Sequence, residues 1–210
     1  TYEAIWCPFA DFFRRYGSSA LLILGLIACY RISDVVMGVM SNSFYVDLQF
    51  SKTEVATITK VYGVIMTLVG AALGGVLVMR FGTLRILFLG AVLTASTNLL
   101  FALLNEVGHD LELLTLIISL DNLSAGIATA AFVTYLSSLT NVAFSATQYA
   151  LFSSIMLLMP KLLAGFSGQV VEQIGYSSFF VGTSLLGIPV MILIIMVAKR
   201  GDALLPQADK

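Results

Sequence analysis

The chain has 210 residues, of which 59% are hydrophobic and only 11% are charged. Soluble domains carry about 25% charged residues, so this chain has too little polar surface to cover a water-facing globule. Its 11 Lys and Arg residues nearly balance its 12 Asp and Glu residues, and the net charge of −1 offers no basic surface for nucleic acid. The composition excludes soluble, collagen-like and disordered classes and indicates a polytopic membrane protein.

Residues 1–17 precede the first apolar run and form a predicted interfacial segment. Phe9, Phe12, Phe13 and Tyr16 recur at helical spacing, opposite the charged residues. This pattern is typical of a helix that lies at a membrane surface. An aromatic belt before a membrane span is the alternative. We expect the segment to lie on the cytoplasmic side, as the end of a linker.

Six apolar runs follow, each near the roughly 20 residues that cross about 30 Å of hydrocarbon. Ser51 and Glu54 form a capping box that starts the second span, and Gly82 follows its end. The sequence therefore predicts an all-α membrane protein, a bundle of six transmembrane helices. The predicted spans are 18–41, 53–79, 84–105, 112–136, 147–171 and 176–198, followed by a tail at 199–210.

The cations of the loops predict the orientation. If the six spans alternate, most loop cations fall on one side, whereas the opposite loops carry Lys52 among acidic residues. The positive-inside rule then places both termini in the cytoplasm. The cations of that side are Arg14, Arg15, Arg80, Arg85, Lys199, Arg200 and Lys210.

Five ionisable residues lie inside the predicted spans: Arg31, Asp34, Lys60, Asp121 and Lys161. Each costs about 2.5–3.5 kcal/mol at a helix centre, so we expect none of them to face lipid. Arg31 and Asp34 are three residues apart and share a helix face. They form either a closed structural pair or part of a binding site.

These charges follow a repeating pattern along the chain. Spans one, two, four and five carry them, and spans three and six carry none. Two three-helix units would give this pattern if the third helix of each packed outside and the others lined a polar cavity. Such a 3+3 repeat is the building block of one six-helix half of a major facilitator transporter.

Small residues in span two predict close helix packing. Lys60, Gly63, Thr67, Gly70 and Gly74 lie on one face of the predicted helix. Gly70 and Gly74 form a GxxxG pair, which lets another backbone approach closely.

Two further positions in the spans are candidates for function. In span five, Pro160 precedes Lys161 and predicts either a kink that aims a cation at a substrate path or a packing kink with a snorkelling lysine. In span four, Asp121 and Asn122 are adjacent. Asp121 is either an acid that exchanges a proton or a carboxylate held ionised by one of the two buried lysines.

No motif in the sequence indicates an enzyme. The single histidine, His109, falls in a polar loop, and neither H-E-x-x-H nor G-x-S-x-G occurs. Cys7 and Cys29 have no metal-ligand spacing. We therefore expect no catalysis, no metal and no cofactor.

Four stretches resemble a known family. The segment Gly75-Val-Leu-Val-Met-Arg80-Phe-Gly82-Thr-Leu-Arg85 is similar to the facilitator loop signature G-x-L-x-D-R-x-G-R-[RK], with Met79 in place of the acid and Thr83 in place of a cation. Residues 30–40, continuing through 43–47 and 50–55, closely resemble the seventh span and following loop of AmpG-type anhydromuropeptide permeases. Residues 146–154 and 175–180 resemble later segments of that family.

The resemblance implies the C-terminal half of a proton-coupled transporter that imports N-acetylglucosaminyl-anhydromuramyl peptides across the bacterial inner membrane. It also implies an N-terminal six-helix half as partner. The same Tyr-Arg-x-x-Asp pattern is similar to the acetyl-CoA transporter family, so another anionic solute is an alternative, as is a non-transporting scaffold or receptor. The predicted substrate- and ion-binding residues are Arg31, Asp34, Lys60, Asp121, Asn122, Gln148 and Lys161, with Tyr30 or Tyr62 stacking on a sugar. The predicted loop-motif residues are Gly75, Arg80, Gly82 and Arg85.

Overall fold

The structure, a computed structural model, describes residues 2–201, with side chains from Trp6 to Arg200. Residues 202–210 of the predicted tail, with Lys210, lie outside the described residues. Six helical stretches in the described part are long and apolar enough to cross a membrane, which confirms the predicted all-α bundle. The helices are α1 Tyr2–Tyr16, α2 Ala20–Cys29, α3 Ile32–Asp47, α4 Lys52–Thr57, α5 Val64–Phe81, α6 Thr83–Val107, α7 Leu111–Leu139, α8 Ser145–Ala164, α9 Ser167–Leu185 and α10 Gly187–Gly201.

Local sequence sets several helix ends. Ser51 Oγ accepts a hydrogen bond from the Glu54 amide at 3.2 Å, and the Glu54 carboxylate accepts one from the Ser51 amide at 2.8 Å. This is the predicted capping box, and it begins α4. Gly82, between α5 and α6, has φ 86° and ψ 154°, a conformation that side chains disfavour. The loop motif therefore needs glycine at this position.

The chain reverses within α9 at Gly175, where φ is 74° and ψ is 168°. Before this residue, α8 and the start of α9 pack beside α2 and α3. The Tyr176 hydroxyl donates to the carboxylate of Asp47, at the end of α3, at 2.7 Å. After Gly175 the chain runs back along α6, where Ser184 Oγ donates to the Ala95 carbonyl at 2.7 Å.

Four spans are less regular than the hydropathy pattern indicates. The first span, predicted as one helix, is interrupted at residues 30–31 and continues to Asp47. The second contains a π-helical turn, Ile58–Gly63, between α4 and α5. The fifth is interrupted at residues 165–166, shortly after Pro160. The sixth is divided between α9 and α10, which are separated at Leu186. Hydropathy reports burial and length, so it does not locate these interruptions.

Helices α5 and α7 approach each other closely through glycines. A Cβ atom on Gly70 would lie 2.3 Å from the carbonyl oxygen of Leu123, and one on Gly126 would lie 2.4 Å from that of Thr67. Both separations are far below van der Waals contact. The expected close approach through the glycines of span two is confirmed, and α7 is its partner.

Helix α1 docks onto the bundle through one aromatic side. Phe12 is buried, and its ring centroid lies 5.0 Å from that of Phe152 on α8. Phe13 on the same helix is exposed. The aromatic residues that predict a surface helix therefore divide between packing on the bundle and facing outward.

The apolar core forms two clusters. The first, near α1, includes Leu26 and Phe132, and the second, near the opposite end, includes Phe44 and Phe180. Helices α6, α7 and α8 contribute to both clusters, with a gap between their two sets of buried residues. Polar side chains occupy that gap, and we call this level the central polar layer: Arg31, Ser33, Asp34, Thr97, Asn98, Asp121, Asn122 and Thr183.

Candidate substrate- and ion-binding site

The interruption of the first span presents an ion pair in the central polar layer. Arg31 lies between α2 and α3 and forms an ion pair with Asp34, one turn further on. The Arg31 guanidinium also donates from Nη1 to Thr129 Oγ1 on α7 at 3.1 Å. The two predicted residues are therefore brought together, and they link the first span to the fourth.

Asp121 and Asn122 point to different helices because they are adjacent on α7. The Asp121 carboxylate accepts a hydrogen bond from Thr97 Oγ1 on α6 at 3.0 Å. The Asn122 side chain accepts one from Thr67 Oγ1 on α5 at 3.0 Å and donates to the Ile118 carbonyl at 2.8 Å. Asp121 thus has a neutral hydroxyl partner, and among the described residues no lysine forms an ion pair with it.

The two lysines lie on the least covered helices. Lys60 is exposed within the π-helical turn, and Lys161 is exposed near the end of α8. In the most apolar windows of these two spans only 22% and 11% of residues are buried inside the bundle, against 44% for each of α6 and α7. The two cations therefore face away from the packed side of the described bundle.

Gln148 does not join these residues. It is 1% exposed and lies beside α1, where its Nε2 donates to the Pro8 carbonyl at 2.9 Å and to Asp11 at 3.1 Å. Its Oε1 accepts from the Asn141 amide at 2.7 Å and from Arg15 at 3.2 Å. Both N–H groups and both lone pairs of the Gln148 amide are thus bonded within the protein, which favours an internal role over the predicted contact with substrate amides.

The two tyrosines predicted as stacking surfaces have different environments. Tyr30 is buried, its ring stacks on Phe132 with centroids 4.5 Å apart, and its hydroxyl donates to the Leu87 carbonyl at 3.2 Å. The sequence leaves Tyr30 and Tyr62 as alternatives, and the described bundle covers the first of them. Tyr62, in the π-helical turn, is 49% exposed.

Sequence reasoning missed the polar contacts that join the third span to the first and sixth spans. Asn98 of α6 is fully buried and donates from Nδ2 to Ser33 Oγ at 2.9 Å and to Thr183 Oγ1 at 3.3 Å. Its Oδ1 has no partner among the described residues. A lone Asn in the middle of an apolar span was the available signal, because an amide in hydrocarbon requires partners.

A small cavity adjoins the Arg31–Asp34 pair. It has a volume of about 20 Å³ and is lined by these two residues together with Ser33, Thr94 and Gly187 among others. This is room for about one water molecule. The described bundle alone therefore encloses no chamber for a large solute beside the ion pair.

The loop-motif residues lie at the junction of α5 and α6. Arg80 and Arg85 are exposed on either side of Gly82. A Cβ atom on Gly75 would meet no atom within 4 Å. Of the two glycines of the loop motif, Gly82 has a backbone conformation that requires glycine and Gly75 does not. Among the described residues no group of three or more His, Cys, Asp or Glu side chains is placed to hold a metal ion.

The sequence profile of the Major Facilitator Superfamily matches residues 6–209. The match covers nearly the whole chain, and the six apolar helices agree with it. The chain belongs to this superfamily, whose members are multi-pass membrane transporters.

Comparison with individual proteins indicates a narrower group within this superfamily. A Rickettsia felis protein named "Putative transporter AmpG 4" is 32% identical over 197 residues, 94% of this chain and 47% of the relative. A Rickettsia conorii protein of the same name is 34% identical over 193 residues, 92% of this chain and 46% of the relative. The anhydromuropeptide permease of Escherichia coli K12 is 32% identical over 195 residues, 92% of this chain and 39% of the permease.

These comparisons confirm the resemblance to AmpG-type facilitators. The chain spans less than half the length of each of these relatives.

Proposed function

We propose that this chain forms the C-terminal half of a proton-coupled transporter that imports peptidoglycan-derived anhydromuropeptides by alternating access. The observation that carries the proposal is the central polar layer, where an Arg31–Asp34 pair and a separate carboxyl, Asp121, lie between two apolar clusters. Ionisable groups at this depth are costly and mark substrate and ion pathways in membrane proteins. The E. coli relative is named an anhydromuropeptide permease.

An N-terminal six-helix half is part of the proposal. Lys60 and Lys161 are exposed on two apolar spans. Lipid is an unfavourable neighbour for either side chain, since a lysine at a helix centre costs about 2.5–3.5 kcal/mol. A second half that encloses a water-filled cavity would remove this cost. The relatives are long enough to contain such a half, because this chain spans less than half of their length.

The charges favour an anionic substrate. Asp34 neutralises Arg31 in the ion pair, so Lys60 and Lys161 remain against Asp121. The described half thus contributes a formal surplus of one positive charge when Asp121 is ionised. Peptide carboxylates of a muropeptide are suitable partners for the two lysines, and the Asn122 amide is suited to peptide or N-acetyl groups.

Asp121 is the proposed proton carrier. Its partner is a neutral hydroxyl, whereas the Asp34 carboxylate is paired with a guanidinium. Protonation of Asp34 would break an ion pair, but protonation of Asp121 leaves the Thr97 hydroxyl free to rotate and serve as acceptor. We therefore assign the coupled proton to Asp121 and a substrate-responsive role to the Arg31–Asp34 pair.

The proposed orientation has both termini in the cytoplasm. Arg14 and Arg15 end α1, and Lys199 and Arg200 end α10. Loop cations collect on the cytoplasmic side of bacterial membrane proteins. Import of a cell-wall fragment then starts at the opposite end, where α3 ends and α7 begins.

Uptake by membrane vesicles tests the proposed function. The transporter encoded by its full reading frame is expressed, a proton gradient is imposed, and entry of labelled N-acetylglucosaminyl-anhydromuramyl tripeptide is followed. We expect proton-driven uptake, and its collapse in at least one of Arg31→Gln, Asp34→Asn and Asp121→Asn. Wild-type uptake in all three variants would overturn the site assignment. Absence of uptake by the wild-type protein, with binding intact, would favour a receptor or a different solute.

A further inference from the structure

We propose that a groove between the π-helical turn and the start of α7 is a sugar-binding subsite. In it, the ring of Tyr62 stacks on the apolar face of an N-acetylglucosamine unit, and Glu112 accepts hydrogen bonds from its hydroxyl groups. The proposal rests on the proposed muropeptide substrate for the identity of the sugar. It adds a recognition site distinct from the central polar layer.

The groove is a shallow, open depression of the surface. The space over its lining is about 500 Å³. It opens near the end of the bundle opposite α1, because α7 begins there. It is lined by Tyr62, Leu111, Glu112, Thr115, Leu116 and Ser119.

The π-helical turn presents the aromatic ring. Residues 58–63 wind as a π-helix, a rare form that occurs frequently at functional sites. At the end of the turn, Gly63 packs against the Asn122 side chain, where a Cβ atom would lie 3.3 Å from Nδ2. Tyr62, one residue earlier, is 49% exposed, and the described residues give it no hydrogen bond and no ring contact. The ring is therefore open to a ligand, unlike the ring of Tyr30.

The polar groups opposite the ring suit a neutral polyol. Glu112, Thr115 and Ser119 recur at three- and four-residue spacing and share one side of α7. A carboxylate accepts strong, charge-assisted hydrogen bonds from sugar hydroxyls. Glu112 forms no ion pair among the described residues, so the groove disfavours a ligand carboxylate.

The position of the groove matches a substrate with two unlike ends. Glu112 and Asn122 are ten residues apart on α7, about 15 Å along the helix axis. The sugar end of a muropeptide would occupy the groove, and its peptide would extend toward the central polar layer.

Site-directed labelling tests the groove without relying on transport. Thr115→Cys serves as a reporter in a Cys7→Ser, Cys29→Ser background of the full-length transporter, and Ser119→Cys is a second reporter in case the first does not fold. The reaction rate with a maleimide is measured in vesicles with and without N,N′-diacetylchitobiose. We expect the disaccharide to slow labelling of the reporter protein that keeps Tyr62 and of the one that carries Tyr62→Phe. It should not slow labelling when the reporter protein carries Tyr62→Ala. Val61→Ala, an exposed neighbour in the same turn, should retain protection.

Uptake kinetics provide the second arm. Tyr62→Ala should raise the KM for the disaccharide tripeptide about tenfold, the loss expected for one aromatic stacking contact, with little change in maximal rate. The KM for anhydromuramyl tripeptide without N-acetylglucosamine should stay at the wild-type value. An equal rise for both solutes would overturn the sugar assignment.

The outcomes separate the two proposals. If the wild-type protein takes up the muropeptide but neither reporter is protected by the disaccharide, the groove is not a sugar site. If the disaccharide protects in a Tyr62-dependent manner but no muropeptide enters, the proposed transport function fails and the sugar site stands.

Discussion

Two polar regions of this bundle differ in how completely their groups are bonded. Beside α1, the amide of Gln148 uses both its donor and its acceptor within the protein, with Asp11, Arg15 and Asn141 as partners. In the middle of the bundle, no described residue donates to the acceptor oxygen of Asn98, and the lysines of the second and fifth spans are exposed.

How completely a polar group is hydrogen-bonded within the protein distinguishes stabilising residues from ligand-binding residues better than residue type does. Gln148 and Asn122 are both amides within apolar spans, and the sequence predicts a ligand-binding role for each. Asn122 is also bonded at both ends, to Thr67 and Ile118, but it keeps one N–H group and one lone pair, whereas Gln148 uses all of its own. Only the three-dimensional contacts show that Gln148 joins α1 to the ends of the fourth and fifth spans. We therefore expect changes near α1 to reduce stability, and changes in the open groups of the middle to reduce transport.

The largest effect on stability is expected from Gly70→Ala. Its Cβ atom would lie 2.3 Å from the Leu123 carbonyl oxygen, so α5 must move away from α7 and disturb the Thr67–Asn122 hydrogen bond. Overpacking of this kind lowers the free energy of unfolding by about 1–3 kcal/mol, and we expect a loss of about 3 kcal/mol for this variant. Thermal unfolding in detergent measures it, and Gly75→Ala, whose Cβ atom meets nothing, is the matched control. Equal melting temperatures for the two variants would contradict the observed packing.

Gln148→Leu should lower the free energy of unfolding by about 2 kcal/mol, because buried partners lose their hydrogen bonds. Transport per folded molecule should remain at the wild-type level. Ser154→Ala is the control on the same helix, since that hydroxyl is exposed and bonds only to the Ala150 carbonyl. Loss of transport in Gln148→Leu without loss of stability would return Gln148 to the substrate site.

Asn98→Ala should lower the free energy of unfolding by a smaller amount, about 1 kcal/mol. The reason is that Oδ1 of this amide has no partner among the described residues. A double-mutant cycle with Ser33→Ala isolates the bond between the third and first spans. If the stability losses of the two single variants add up to the loss of the double variant in thermal unfolding, the bond contributes nothing to stability.

The smallest effect on stability is expected from Lys60→Met and Lys161→Met, since neither lysine forms an ion pair among the described residues. Their melting temperatures should match the wild type, whereas uptake at low muropeptide concentration should fall. Lys52→Met, at the exposed first residue of α4, is the control and should leave uptake unchanged. A matching loss in the control would indicate a general surface-charge effect.

The sequence was sufficient for features set by composition or by near neighbours. Six spans, the capping box at Ser51, the glycine face of span two and the side-by-side placement of Arg31 and Asp34 all depend on spacing along one helix. Partners from distant segments were not predictable. Tyr30 is covered by Phe132, and Gln148 is bonded to residues of α1 more than 130 positions away. The π-helical turn packs against α7, a contact that hydropathy does not encode.

Net uptake and substrate exchange in Asp121→Asn test the central claim most directly. Vesicles are assayed for accumulation of labelled muropeptide driven by a proton gradient, and for exchange of labelled against unlabelled muropeptide without a gradient. If Asp121 carries the proton and the Arg31–Asp34 pair serves the substrate, the variant should retain exchange and lose proton-driven accumulation. Accumulation at the wild-type rate in Asp121→Asn would contradict the assignment of the proton to Asp121.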